Sequence, residues 1–122
     1  MAPARDELVA YERRYRELAL ELSDVGMIQA GSVTRRFTRC GSPGCQCHTD
    51  ASKRHGPYFQ WTTKVENKTV TKTLSEKEAE IYQEWIANDR RLRALVKEMR
   101  EVAAKALSVK LADENESLRL FT

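Results

Sequence analysis

The feature that most constrains the fold is a long stretch, from Glu76 to Leu107, that contains neither glycine nor proline. Ser75 and Glu78 form a capping box at its start, which is typical of a helix N-terminus. Mostly apolar residues then recur at alternating spacings of three and four, as they do on a helix that packs against another helix. We therefore predict a long coiled-coil helix over residues 76–107, followed by a flexible or partner-docking tail at 108–122. The residues of this seam are Ile81, Trp85, Asn88, Leu92, Leu95, Met99, Val102 and Ala106.

A shorter seam near the N-terminus predicts a first helix over residues 4–25. Because the long helix exceeds this first helix in length, its C-terminal half needs another partner. We expect a second copy of the chain to supply it, which gives a homodimer through the long helix. In such a pair Asn88 sets the register; the alternative is that Asn88 is simply exposed. The residues of the first seam are Leu8, Tyr11, Tyr15, Leu18, Leu22 and Val25.

Between the two helices the pattern changes to short runs of β-favouring residues. We expect strands over Val33–Arg39, Pro57–Val65 and Thr69–Leu74, with a tight turn at Asn67 and Lys68. A chain of 122 residues has room for one ordinary core. The prediction is a single α+β domain, residues 1–122, with an N-terminal helix, a three-stranded antiparallel sheet within residues 31–74, and the long C-terminal helix.

The middle of the chain is basic, whereas both ends are nearly neutral. Residues 31–72 hold eight Lys and Arg against two acidic residues, a net charge of +6, compared with −2 for residues 1–30 and −1 for residues 73–122. Such a segment attracts nucleic acid by releasing counterions, although a merely solvated surface has the same composition. The candidate nucleic-acid-binding residues are Arg35, Arg36, Arg39, Lys53, Arg54, Tyr58, Lys64 and Lys68.

All three cysteines lie within eight residues, and glycine and proline between them allow a tight turn in which thiolates converge on one ion. Zn²⁺ needs four nitrogen or sulfur donors at the corners of a tetrahedron. Cys47 and His48 are adjacent and point in different directions, so we favour His55 over His48 as the fourth donor. The predicted zinc ligands are Cys40, Cys45, Cys47 and His55.

Two alternatives remain open for these cysteines. They can be reduced side chains that merely pack. One of them can instead be a reactive thiolate, activated by His48 or His55 and with its pKa lowered by Arg39. A third orienting group and a substrate pocket are not evident for that chemistry, and neither a phosphate-binding loop nor an HExxH motif occurs. We therefore expect a protein that is not an enzyme.

The segments Gly31-Ser32, Cys40-Gly-Ser-Pro-Gly-Cys-Gln-Cys47, His55-Gly-Pro-Tyr58 and the Arg- and Leu-rich stretch 90–95 resemble a family of small bacterial proteins of uncharacterised function. Members of that family are often found near transposons and other mobile elements. The resemblance covers about residues 28–100. It implies a shared fold and favours His55, which belongs to the family's motif, over His48, which falls in its variable loop.

These observations favour a zinc-knuckle protein that binds nucleic acid, with DNA preferred over RNA, in support of a bacterial mobile element. The alternative is a dimeric coiled-coil adaptor that docks a recombinase or transposase and uses the metal only for structure. Asp6 and Glu7 stand where a signal peptide would be apolar, and no run of about 18 apolar residues occurs. Clustered cysteines suit a reducing compartment. We therefore expect a cytoplasmic protein without membrane attachment.

Overall fold

The computed structural model describes residues 3–121 and confirms the predicted α+β class. A first helix, α1, begins the chain and a long helix, α2, ends it, with a three-stranded antiparallel sheet between them. The chain divides into two compact units: a helical unit, Met1–Gly26 with Arg90–Thr122, and a sheet unit, Met27–Asp89. The elements are α1 (Pro3–Ser23), β1 (Ser32–Thr38), β2 (His55–Val65), β3 (Lys68–Leu74) and α2 (Glu76–Phe121).

The helical unit is built on the two seams that the sequence predicts. Leu18 of α1 is completely buried, and it forms one apolar cluster with Leu95 and Val102 of α2. Partly buried side chains complete the cluster, and an ion pair between Arg14 and Glu98 at 2.8 Å lies at its edge. The expected pairing of the long helix with the first helix is therefore confirmed within one chain. The partly buried members of the cluster are Tyr11, Leu22, Val25 and Met99.

The sheet has the order β1-β2-β3, and both neighbouring pairs are antiparallel. The turn between β2 and β3 consists of Glu66 and Asn67, whose φ angles are 51° and 64°. Positive φ at both central residues is the conformation that a two-residue hairpin requires. The predicted turn at Asn67 and Lys68 is therefore wrong by one residue, because Lys68 already pairs with Val65.

One face of the sheet packs on the start of α2. The ring of Trp61 lies 5.4 Å from that of Tyr82, and its Nε1 donates a hydrogen bond to the carbonyl of Ala30 at 2.8 Å. Leu74 and Ile86 are buried in the same unit. On the opposite face of the sheet most side chains are exposed. Within the described residues of the sheet unit, no helix therefore packs on this face.

Helix α2 starts at the predicted capping box. The backbone N–H of Ser75 donates to the carboxylate of Glu78 and the N–H of Glu78 donates to the hydroxyl of Ser75, both at 3.1 Å. Asn88 donates from Nδ2 to the carbonyl of Met27 at 2.8 Å. Its amide therefore holds a loop of its own chain, which is a different role from the predicted one of setting the register of a dimer.

The segment 108–122, predicted to be a flexible or partner-docking tail, is helical as far as Phe121, so α2 is longer than predicted, and docking by this segment stays a prediction. The physical reason is composition: residues 108–121 contain no glycine or proline, and alanine, leucine, lysine and glutamate make up half of them. Once a helix has been nucleated, each further residue adds a hydrogen bond and needs no packing partner. None of the described helices combines the length and apolar character needed to cross a membrane.

Candidate metal centre

The connection between β1 and β2 brings the four predicted ligands together. It spans the 16 residues from Arg39 to Arg54, much longer than an ordinary hairpin loop. Two single-turn 3₁₀ helices, Gln46–His48 and Ala51–Lys53, shorten it. Asp50 caps the second of them by accepting a hydrogen bond from the backbone N–H of Ser52 at 3.0 Å. The loop is therefore folded locally, although it contributes little apolar surface.

The donor atoms of Cys40, Cys45, Cys47 and His55 all lie within 4.8 Å of one another. The Sγ atoms of Cys40 and Cys47 are 3.5 Å apart, and Sγ of Cys45 is 3.4 Å from Nε2 of His55. Around a tetrahedral zinc ion, bonds of about 2.3 Å to sulfur and 2.0 Å to nitrogen place neighbouring donors roughly 3.5–3.8 Å apart. The four side chains thus form a compact cluster with donor spacings that suit a metal ion.

The cluster is partly shielded from solvent, which strengthens its polar interactions. Cys47 is 1% exposed, whereas Cys40 and Cys45 are of intermediate exposure. The backbone N–H of Cys40 donates to Sγ of Cys47 at 3.3 Å. Such a donor stabilises a thiolate, although burial and the neighbouring thiols oppose it at Cys47.

Mutual hydrogen bonding changes the pKa values of these groups. Contact with the backbone of Ser42, followed by contacts with the other two thiols, lowers the pKa of Cys40 to about 6. The backbone of Cys47 and then the ring of His55 lower the pKa of Cys45. The pKa of His55 is raised by Cys45 and then by Cys40. The backbone of Cys40 acts to lower the pKa of Cys47, but burial and the neighbouring thiols outweigh it and raise that pKa.

His55 reaches the cluster because the backbone around it has an unusual conformation. Gly56 has a φ of +134°, and a Cβ at this position would lie 2.7 Å from the carbonyl oxygen of Arg36. Glycine is therefore required for β1 and β2 to approach each other here. The register shifts between Arg36 and Thr38, so that Thr38 pairs with His55. The peptide bond from Gly56 to Pro57 is cis.

His48, the other histidine, lies outside the cluster. Its Nε2 atom is buried and has no hydrogen-bond partner within the part of the chain that the structure describes. The structure therefore groups His55, and not His48, with the three sulfur atoms. The close contact of Cys45 with His55 also resembles an activated thiolate pair, but two further sulfur atoms at the same point favour metal binding.

The eight candidate nucleic-acid-binding residues do not form one surface. Alternation along the strands places Arg36, Tyr58 and Lys64 on the open face of the sheet. Arg35 and Lys68 lie on the opposite face, where the guanidinium of Arg35 is 5.1 Å from the ring of Phe37. The remaining three lie in the connection that carries the metal cluster: Arg39, Lys53 and Arg54.

The open face consists of ten residues from the three strands, and within these strands none of the ten is acidic. Tyr58 is 45% exposed beside Arg36, whose Nη1 donates to Oε1 of Gln60 at 3.3 Å. Thr38 and Thr73 help to line a depression of about 210 Å³ on this face. Sequence reasoning did not predict these two residues as part of the face, because strand register decides their position. The face comprises Ser32, Thr34, Arg36, Tyr58, Gln60, Thr62, Lys64, Thr69, Thr71 and Thr73.

Comparison with curated proteins found no match, and comparison with solved structures found none either. A family model does match the chain, over residues 8–83. The match includes most of α1, the whole sheet, the cysteine cluster and the first turns of α2. Because it spans more than half of the sequence, the chain belongs to a family described as a domain of unknown function, DUF6788.

Proposed function

We propose that this chain is a non-catalytic nucleic-acid-binding protein whose Cys40, Cys45, Cys47 and His55 hold Zn²⁺. In this proposal the open face of the sheet binds the ligand. DNA is preferred over RNA because the cysteine motif resembles proteins found near bacterial transposons. The biological role would then be accessory or regulatory to a mobile element.

Zinc is the metal that best suits the donor set. Three thiolates and one imidazole are typical of structural zinc sites, which leave no open coordination position for a substrate. A bound ion would link the end of β1 to the start of β2 and close the long connection between them. Its role would be to hold the loop and the adjoining strands, because a small chain gains folding free energy from a metal.

The observation that carries the nucleic-acid proposal is the composition of the open face. Arg36 pairs with Tyr58, whose ring is exposed, and Lys64 lies on the same face about 20 Å further along β2, while hydroxyl groups fill most of the remaining positions. Positive groups contact phosphates, hydroxyl groups donate to phosphates and base edges, and an exposed aromatic ring stacks on a base. The absence of carboxylates among these ten residues removes the usual source of repulsion.

The proposal is tested by titrating the protein into dye-labelled DNA and RNA of the same sequence, in single- and double-stranded form. We expect affinity for DNA to fall linearly on a logarithmic plot as salt increases. The double variant Arg36→Glu, Lys64→Glu should weaken binding by about tenfold or more and reduce the salt slope by about 1 for each phosphate that the protein no longer neutralises. Tyr58→Ala should weaken binding to single strands most, because it removes stacking.

The matched control is Arg35→Glu, Lys68→Glu, which makes the same change of charge on the opposite face of the same sheet. We expect this control to retain most of the affinity. If both double variants lose affinity equally, the open face is not the binding site. Full affinity in the Arg36→Glu, Lys64→Glu variant, or no binding by the original protein at low salt, would overturn the proposal.

A further inference from the structure

A second apolar stripe runs along α2, separate from the seam that packs on α1. Leu107 and Leu111 are 58% and 53% exposed. At 3.6 residues per turn, Leu107 lies about 120–140° and Leu111 about 160–180° around the helix from the buried seam residues Leu95 and Val102. The predicted dimer seam is thus already used within one chain; Leu107 borders the groove between α1 and α2, and Leu111 lies on the side of α2 away from the buried seam.

The charge along α2 changes sign near Leu107. Residues 90–110 contain seven basic and two acidic side chains, whereas residues 111–121 contain three acidic and one basic. Arg100 and Glu114 both lie on the second stripe, since they are separated from Leu107 by one heptad each. They are 14 residues apart, about 21 Å along the helix, so they cannot meet within one chain.

Arg100 has no acidic helical neighbour in its own chain, whereas Glu114 has one basic neighbour, Lys110, four residues before it. Neither Arg100 nor Glu114 takes part in an ion pair within the residues that the structure describes. The helical neighbours of Arg100, three and four residues away, include no acidic residue, and they are Val96, Lys97, Ala103 and Ala104. An acidic segment from outside the chain would therefore suit this part of the stripe.

We infer that the second stripe binds a second copy of the chain, with the two α2 helices antiparallel and a two-fold axis near Leu107. In this register Glu114 faces Arg100 of the partner subunit, and the same contact occurs again across the axis. Leu111 faces the small side chain of Ala103 of the partner subunit, so that large and small residues alternate. A parallel pair would instead place Arg100 beside Arg100 and Glu114 beside Glu114, which is repulsive.

The surface also has a suitable shape. A depression of about 530 Å³ between side chains of α2 lies on the N-terminal side of Leu107, and Val96, Arg100 and Ala104 are among its lining residues. Alanine at 103 and 104 leaves room for a leucine from an approaching helix. The inference concerns the helical unit and does not depend on the proposed nucleic-acid binding.

The first experiment is sedimentation velocity of the full chain over a range of concentrations. We expect a dimer, which Leu107→Glu converts to a monomer with unchanged helical content by circular dichroism. The matched control is Leu20→Glu: Leu20 of α1 is 70% exposed and lies away from the stripe, so this variant should remain a dimer. Either of two results would overturn the inference. One is an original protein that is still monomeric at about 100 μM, and the other is a dimer that survives Leu107→Glu.

The second experiment tests the register. Arg100→Glu and Glu114→Arg should each raise the dissociation constant of the dimer by about tenfold, because each disrupts two symmetric pairs. The double variant Arg100→Glu, Glu114→Arg restores opposite charges across the interface and should recover the original constant. If the double variant is as weak as the single variants, the antiparallel register is wrong. Both positions are exposed, so folding is unaffected.

Discussion

The helical unit and the sheet unit are stabilised in different ways. In the helical unit, apolar side chains from two helices surround the completely buried Leu18. The sheet unit buries Leu74, Ala79 and Ile86, and Cys47 of the candidate metal centre is buried with them. Side-chain periodicity is enough to build the first unit, whereas the second needs strand pairing, turns with positive φ and, in our proposal, a metal ion.

The largest difference between the units should appear when the metal is removed. We expect His55→Ala to lower zinc affinity by more than about 100-fold, because it deletes a ligand. Loss of a side chain that only hydrogen-bonds to a ligand already costs up to roughly 100-fold. Amide protection should then fall in the sheet unit and persist in the helical unit. Native mass spectrometry measures the metal content of the protein, and hydrogen exchange measures the amide protection of each unit.

His48→Ala is the matched control, because it removes the histidine that lies outside the cluster. It should keep one zinc ion per chain. Equal metal content in both histidine variants would contradict the ligand assignment. Loss of protection in both units would contradict the expectation that only the sheet unit depends on the metal.

A substitution in the core of the helical unit should lower stability without affecting the metal site of the sheet unit. Leu18→Ala removes a completely buried side chain, and we expect the free energy of unfolding to fall by about 2–5 kcal/mol. Urea denaturation followed by circular dichroism measures this change. Metal content should be unaffected, and a variant that loses its metal would show that the cysteine cluster depends on the helical seam.

A smaller effect should follow from the capping box that starts α2 within the sheet unit. Hydrogen bonds from the backbone and hydroxyl of Ser75, with the ammonium group of Lys72 at 3.9 Å, lower the pKa of Glu78 below its usual value of 4.5. A lowered pKa means that the carboxylate stabilises the fold above its unfolded pKa, and that this contribution is lost as pH falls through the folded pKa.

We therefore expect stability to decrease between about pH 5 and pH 3, and Glu78→Gln to reduce that decrease. Thermal unfolding at several pH values measures the effect. Glu76→Gln, in the same first turn but outside the box, is the control, and an identical pH profile in both variants would contradict the role of Glu78.

The smallest effect concerns the β2–β3 turn. Glu66 has a φ of 51°, a conformation that asparagine tolerates better than glutamate. Glu66→Asn should therefore stabilise the sheet unit by about 0.5 kcal/mol. The change in melting temperature measures it. Glu66→Val should destabilise instead, and a gain in stability with valine would mean that the turn conformation is different.

The sequence predicts the helices well because of their apolar periodicity, which marks the buried face in the helical unit. In the sheet unit the periodicity is misleading, because the seam residues Ile81 and Trp85 are exposed and Ile86, outside the seam, is buried instead. The sequence also identifies the Cys/His cluster, since glycine, proline and closely spaced cysteines restrict how the loop can fold. It fails at the C-terminal end of α2, where helical propensity alone continues the helix without any packing pattern. Asn88 is also misjudged, because its hydrogen bond to Met27 depends on a loop whose path no local pattern encodes.

The basic residues show a further limit of sequence reasoning. Arg35 and Arg36 are adjacent and chemically identical, yet the strand places them on opposite faces. Net charge identifies the segment but not the surface, which follows from register and from the bulge after Arg36. Conversely, the basic stretch 90–110 and the acidic stretch 111–121 of α2 are visible in the sequence, but the structure is needed to show which stripe α1 leaves exposed.

The packing of Trp61 against Tyr82 has a practical consequence. Both tryptophans of the chain, Trp61 and Trp85, belong to the sheet unit, and the indole N–H of Trp61 is bonded to the carbonyl of Ala30. Intrinsic fluorescence excited at the indole band therefore reports the environment of this unit alone. Emission from the unmodified protein distinguishes opening of the sheet from melting of the helical pair, without any attached label.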